Sequence, residues 1–314
     1  MIPMENKEVA VIGLGPAGVT AAIYLKRYGM DPVCFEKEAV GGKVCRTEKI
    51  ENYPGSGTIS GIELGRVFEK QLLDLGIEPI YREVKELTRN PDRTFHVKWG
   101  KEERDFRYVI LANGLKEKEF HIEGEETFHR RGFSYCAICD GNFYRGKEVA
   151  VIGAGNAAFE EAAYLATICK KVTLIARRKE FKANPLLVER FLDFKPAVVR
   201  APYQVIRASG TTQLESLEIQ NLETKEIETI PASGLFLYIG QKPQNSFIKI
   251  PQIFDENGYI VTNSYMMSEE AFNLYAIGDI VSGKYIRQVV TATSDGAIAA
   301  ANINDDYIAI LRGR

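Results

Sequence analysis

The sequence predicts an α/β protein with two parallel-sheet units, and three observations carry that prediction. Lys7-Glu8-Val9-Ala10-Val11-Ile12-Gly13 recurs letter for letter as Lys147-Glu148-Val149-Ala150-Val151-Ile152-Gly153, 140 residues further on. Each copy is an apolar β run followed by a glycine-rich turn, an alanine-rich helical stretch and a second apolar strand, at Pro32 to Phe35 and at Lys171 to Ile175. Parallel strands joined by a helix imply a sheet covered on both faces. The third observation is length: 314 residues exceed one comfortable core and suit two domains.

The first turn reads Gly13-Leu14-Gly15-Pro16-Ala17-Gly18. Its first glycine permits the tight turn, its second lets backbone approach a pyrophosphate, and its third allows close helix–strand packing. The helix N-terminus that follows favours phosphate charge. Glu36 stands 23 residues beyond Gly13, where a carboxylate accepts hydrogen bonds from ribose hydroxyls. The pattern therefore predicts a dinucleotide site.

The second turn reads Gly153-Ala154-Gly155-Asn156-Ala157-Ala158, with alanine in the third place. Its second strand ends not in an acid but in Arg177-Arg178, with Lys179 and Lys182 close behind. Cations at that position suit a 2′-phosphate and favour NADP(H) over NAD(H). Near the C-terminus, Leu274-Tyr275-Ala276-Ile277 breaks into Gly278-Asp279, an apolar strand ending in a turn whose aspartate can hold sugar or ribityl hydroxyls.

A net charge of −2 gives no support for nucleic acid or an anionic membrane as partner. No apolar run approaches the length that spans a bilayer, and Met1 to Lys7 lacks a signal-peptide pattern, so a cytoplasmic protein is expected. Of the five cysteines, Cys34, Cys45 and Cys169 read as isolated thiols. Cys136 and Cys139 form a spaced pair, and no second pair or histidine cluster accompanies them to suggest zinc. Two thiols at this spacing cycle between dithiol and disulfide, and Asp140 beside them can relay a proton.

Here a resemblance enters. Together with Gly41-Gly42, Glu51-Asn52-Tyr53-Pro54-Gly55, Ala112-Asn113-Gly114, Glu160-Glu161-Ala162 and Arg287-Gln288, these motifs make essentially the whole chain resemble the low-molecular-weight thioredoxin reductases. The resemblance implies two Rossmann-like domains, the second inserted into the first. An FAD-binding domain would comprise residues 1–114 and 245–314, and residues 115–244 would form an NAD(P)H-binding domain carrying the dithiol. For FAD it implies Gly13, Gly15, Pro16, Ala17, Gly18, Glu36, Lys37, Gly41, Gly42, Lys43, Asn52, Ala112, Asn113, Gly114, Gly278, Asp279, Arg287, Gln288 and Val289. For NADPH it implies Gly153, Gly155, Asn156, Ala157, Ala158, Arg177, Arg178 and Lys182. Cys139 would face the flavin, Cys136 would attack thioredoxin or a thioredoxin-like protein, and Asp140 would be the acid. A homodimer is implied as well.

The chain departs from the family's usual pattern in four ways: Lys43 for Gln, Asn113 for Thr, Ala154 for Gly, and Ala176 with Lys182 in place of the outer His and Arg of the nucleotide signature. NADH and ferredoxin therefore stay open as electron donors. A non-enzymatic redox sensor is the alternative from another class, although two dinucleotide turns plus a dithiol favour turnover.

Overall fold

The structure, a computed structural model, describes residues 9–47, 50–117, 120–128 and 131–312. Lys7 and Glu8, which open the first copy of the repeat, and His129 lie outside the described residues. The chain divides into two compact units, Met1–Lys116 with Lys242–Arg314, and Glu117–Gln241.

The repeated Val-Ala-Val-Ile explains why each unit has a sheet at its centre. In β1 (Val9–Ile12) every residue is buried. Val9 and Val11 face one apolar cluster and Ala10 and Ile12 another, so the strand is covered on both faces. Within β10 (Glu148–Ile152), Val149 and Val151 again face one cluster and Ala150 and Ile152 the other. A strand sandwiched this way needs an unbroken apolar run.

In the first unit β1 lies between β2 (Pro32–Glu36) and β7 (Tyr108–Leu111), both parallel to it. The sheet is completed by β3 (Ile80–Tyr81) and β18 (Leu274–Ala276), in the order β18-β7-β1-β2-β3. Helix α1 (Pro16–Arg27) packs against the long α7 (Val289–Leu311), with α2 (Gly61–Asp74) beside it. Ser60 and Glu63 close α2 with a reciprocal capping box. A three-stranded antiparallel layer adds β4 (Val84–Arg89), β5 (Phe95–Trp99) and β6 (Glu102–Phe106).

The second unit repeats this plan. Its parallel sheet runs β12-β11-β10-β16-β9, with β9 (Phe133–Ser134), β11 (Lys171–Ile175), β12 (Ala197–Arg200) and β16 (Gly234–Leu237). Its antiparallel layer is β13 (Tyr203–Ser209), β14 (Ser216–Asn221) and β15 (Ile227–Pro231). The helices are α3 (Glu125–Phe128), α4 (Ala137–Asp140), α5 (Asn156–Ala166) and α6 (Pro185–Leu192). The chain passes between units along β8 (Leu115–Glu117) and β17 (Gln241–Pro243), which pair as a two-stranded ribbon. Among the described residues, no helix is long and apolar enough to cross a membrane.

Candidate active site: two glycine turns and a dithiol

The first glycine turn is built by the strands on either side of it. Gly13 N–H donates to Phe35 O at 2.8 Å, and Gly41 N–H donates to Leu14 O at 2.7 Å. A Cβ on Gly18 would lie 1.9 Å from Gly13 O, so the packing of α1 against the turn demands glycine there. Gly15 is different: a Cβ there would meet nothing nearer than Gly41 O at 4.0 Å. Its missing side chain leaves open space at the N-terminus of α1, where Pro16 and Ala17 begin the helix. Such a cradle fits a phosphate held by backbone N–H groups.

Glu36 has a second role that the sequence reading did not give it. The carboxylate is buried, accepting Leu14 N–H at 2.8 Å and Glu38 N–H at 2.9 Å, so it pins the turn itself. Further along this sheet edge, Asn113 Nδ2 donates to Gln244 O at 3.0 Å, and Lys37 Nζ donates to Gln244 Oε1 at 2.8 Å. Ala112 closes the turn from the neighbouring strand, its O 2.5 Å from where a Gly13 Cβ would stand. Gly114, at φ +58°, has open space where a Cβ would be.

Gly278 and Asp279 follow β18 and reach this same turn, with a Cβ on Gly278 only 3.0 Å from Ala17 Cβ. Asp295, buried on α7, fixes that loop by accepting Gly278 N–H at 2.9 Å and Lys284 Nζ at 2.6 Å. Asp279 is half-buried, and its carboxylate makes no hydrogen bond among the described residues. Burial pushes its pKa up, against the pull of Lys43 and Arg287. A carboxylate left like this suits a ligand that brings hydroxyl donors.

Arg287 is committed to the protein. Its Nε donates to Asp279 O at 3.2 Å, and its guanidinium stacks over the Tyr259 ring at 4.9 Å. Gln288 caps α7 just before Val289, and its Oε1 accepts Asn52 Nδ2 at 3.0 Å. These residues shape the loop around Asp279. Lys43 and Gly42 lie in a short 3₁₀ turn entered through Gly41 at φ +101°.

The second turn repeats the first with one change. Gly153 N–H donates to Ile175 O at 3.1 Å, and a Cβ on Gly155 would meet nothing within 4 Å. Ala158, in the third place, packs at the start of α5 where the first copy needs Gly18. Ala154 O accepts Lys182 N–H at 2.8 Å and Ala183 N–H at 3.1 Å, and Asn156 Oδ1 accepts Asn184 N–H at 2.8 Å. The segment after β11 is thereby laid alongside the turn, and Ala157 sits in the first turn of α5. Arg177 and Arg178 are exposed on that segment and form no ion pair among the described residues, whereas Lys179 pairs with Glu223 at 2.8 Å. Two free guanidiniums beside an open glycine turn match a phosphorylated ribose.

Cys136 and Cys139 are joined as a disulfide in the second unit. Cys136 occupies the N-cap of α4, and its Sγ accepts Cys139 N–H at 3.2 Å. An amide donor on that sulfur stabilises the thiolate it becomes on reduction. Ser134, buried on β9, donates through Oγ to Asp140 Oδ2 at 2.6 Å and accepts Cys136 N–H at 3.1 Å. One hydroxyl thus ties the carboxyl group to the backbone of the first cysteine. Burial pushes the Cys34 thiol up to about 12 and the Cys169 thiol up to about 11, which keeps both out of thiol chemistry.

Ser134, Asp295 and Tyr238 were missing from the sequence reading. The one local signal was an aspartate inside the alanine-rich stretch that becomes α7.

Two dinucleotide-type turns and a redox dithiol in one chain define an oxidoreductase that acts on disulfides. The sequence matches the family model described as pyridine nucleotide-disulphide oxidoreductase over residues 7–296. It is 39% identical over 297 residues to a thioredoxin reductase of Ureaplasma parvum, covering 94% of this chain and 95% of that one. It is 36% identical over 295 residues to a bifunctional thioredoxin reductase/thioredoxin of Mycobacterium leprae, covering 93% of this chain and 64% of that protein. The crystal structure of thioredoxin reductase from Streptococcus pyogenes superposes with a TM-score of 0.89 at 34% identity, covering 96% and 98% of the two chains. The chain belongs to the pyridine nucleotide-disulphide oxidoreductases, among the thioredoxin reductases. Membership brings it a flavin and a pyridine nucleotide.

Proposed function

We propose that this protein reduces the disulfide of thioredoxin or a thioredoxin-like protein, with NADPH as donor and FAD as carrier. The observation that carries the reading is the Cys136–Cys139 disulfide, set in the same unit as a glycine turn flanked by two unpaired arginines. The balance is NADPH, one proton and protein disulfide giving NADP⁺ and protein dithiol. FAD, when bound, supplies two-electron transfer between a nicotinamide and a disulfide. The residues that fit it are the open Gly15 position with the α1 N-terminus for its pyrophosphate, Glu36 for its ribose and Asp279 for its remaining hydroxyls. Gly41, Gly42, Lys43, Asn52, Asn113, Gly114, Arg287, Gln288 and Val289 complete or shape that cradle. Gly153, Gly155, Asn156, Ala157, Ala158, Arg177, Arg178 and Lys182 form the corresponding cradle for NADPH.

The chain's own sulfur chemistry follows from the dithiol. The Cys136 thiolate attacks one sulfur of the partner disulfide, forming a mixed disulfide and releasing a partner thiolate. The Cys139 thiolate then attacks Cys136 Sγ, which restores the disulfide and releases the second partner thiolate. Asp140, held by Ser134, manages the protons at this site. The assignment of Cys136 to the partner and Cys139 to the flavin rests on resemblance. A homodimer in the cytoplasm belongs to the same reading, and a reducing compartment suits a chain with three cysteines outside its disulfide.

The test is steady-state reduction of thioredoxin by the FAD-loaded protein with NADPH, NADH or reduced ferredoxin in turn. The reading expects NADPH to give the highest kcat/KM. Turnover with ferredoxin and with neither nucleotide contradicts it.

A further inference from the structure

Consecutive backbone amides at the start of the dithiol turn are held by two side chains from neighbouring strands. β9 pairs in parallel with β16, with Ser134 opposite Phe236. Both chains run on in the same direction, to Cys136 at the N-cap of α4 and to Tyr238 just past β16. The Ser134 hydroxyl accepts Cys136 N–H at 3.1 Å. The Tyr238 hydroxyl accepts the next amide, Ala137 N–H, at 2.7 Å. Tyr238 is itself anchored through its backbone: its N–H donates to Ile152 O at 2.8 Å, and its O lies 2.8 Å from where a Gly153 Cβ would stand. The registers give it the place that Ala112 holds in the first unit, since Ile12 pairs with Leu111 and Ile152 with Leu237. Ala112 stops at a methyl group, whereas Tyr238 extends a phenol to the dithiol.

This turn cannot hold itself. α4 is four residues long, and a single helical turn is unfavourable in water because it fixes several residues for one hydrogen bond. In the oxidised protein the Cys136–Cys139 bond closes the turn covalently. During the proposed cycle that bond opens, and Cys139 must then find Cys136 Sγ again through non-covalent order. Two contacts lie within the turn, Cys139 N–H on Cys136 Sγ at 3.2 Å and Asp140 N–H on Cys136 O at 3.0 Å. Ser134 and Tyr238 reach the turn from the sheet. Ala137 is fully buried, so its amide finds no water in place of a lost acceptor unless the turn moves.

We infer that Ser134 and Tyr238 are positioning residues for the redox pair: they hold the Cys136 and Ala137 amides, and so keep the α4 turn fixed to the sheet while the disulfide is open. The consequence is thermodynamic. An intramolecular disulfide forms in proportion to the effective concentration of its two thiols, which order in the reduced turn raises. With an acceptor removed, the reduced turn relaxes and exposes the orphaned amide to water, whereas the closed disulfide restrains that relaxation. Loss of either contact therefore favours the dithiol over the disulfide. The inference rests on the proposed function only in that this pair is the redox centre.

The experiment equilibrates the FAD-loaded full-length protein anaerobically in glutathione buffers, traps thiols by alkylation, and measures the Cys136–Cys139 disulfide by mass spectrometry. The reaction read is protein disulfide and two glutathione thiols giving protein dithiol and glutathione disulfide. Tyr238→Phe keeps the ring and removes only the hydroxyl. Its equilibrium constant for reduction should rise at least about fivefold. Ser134→Ala should shift the same way, and Ser134→Thr, which retains a hydroxyl, should return toward the parent. Amide exchange of Ala137 gives a second readout. In Tyr238→Phe it should be at least about tenfold faster than in the parent when the pair is reduced, and much less accelerated when it is oxidised. A packing role alone would lower the melting temperature and leave the equilibrium constant at its parental value, and that result overturns the inference. Equal acceleration of exchange in both redox states overturns it as well. Failure of the proposed function would look different: a parent that does not turn over thioredoxin, with both shifts still present in the variants.

Discussion

Replacing Cys136 or Cys139 with serine lowers thioredoxin reduction by at least about a thousandfold, because each thiol performs a step the other cannot. A serine at 139 leaves the mixed disulfide at Cys136 unresolved, and a serine at 136 removes the attacking sulfur. Flavin reduction by the nucleotide should persist in both variants, since neither cysteine belongs to a glycine turn. The two losses should also be non-additive, with the double variant no worse than either single one. Stopped-flow reduction of the flavin together with steady-state thioredoxin turnover separates these effects. Parental turnover in either variant would show that the pair is not the redox centre.

Arg177→Ala or Arg178→Ala should each cost at least about tenfold in kcat/KM with NADPH and little with NADH, since a hydrogen bond to a charged phosphate contributes roughly 1.5–3 kcal/mol. Both side chains are exposed and make no ion pair among the described residues, so no existing partner is lost when they are truncated. Lys182 adds only a point charge, and Ala176 is buried and adds none. The parental preference for NADPH should therefore be smaller than a signature with arginine and histidine at those positions would give. Equal losses with both coenzymes would assign the arginines to the domain surface and not to the 2′-phosphate.

Much of this architecture was legible because its signals are local. The identical Val-Ala-Val-Ile runs give identical two-sided burial, and Gly18 is demanded by its contact with the backbone of Gly13. The dithiol was legible for the same reason: spacing alone places both sulfurs in one turn. The antiparallel layers were also written in the chain, in alternations such as Phe95, Val97 and Trp99 buried against half-buried His96 and Lys98, but the sequence reading passed over them. The supporting residues were not legible. Ser134 looks like any serine until β9 brings it to Asp140, and Tyr238 reaches Ala137 across 101 residues of chain. Asp295 acquires its role only when α7 returns to the loop after β18. Arg287 shows the converse, a motif residue whose guanidinium the fold uses to shape a loop.

The most direct measurement counts thiols. Cys34, Cys45 and Cys169 lie outside the Cys136–Cys139 disulfide, so the oxidised protein unfolded in denaturant should show three thiols per chain. After anaerobic incubation of the FAD-loaded protein with NADPH, the count on unfolding should rise from three to five, with the two new thiols mapping to Cys136 and Cys139. A count that stays at three while NADPH is consumed would contradict the claim that electrons from the nucleotide reach this pair.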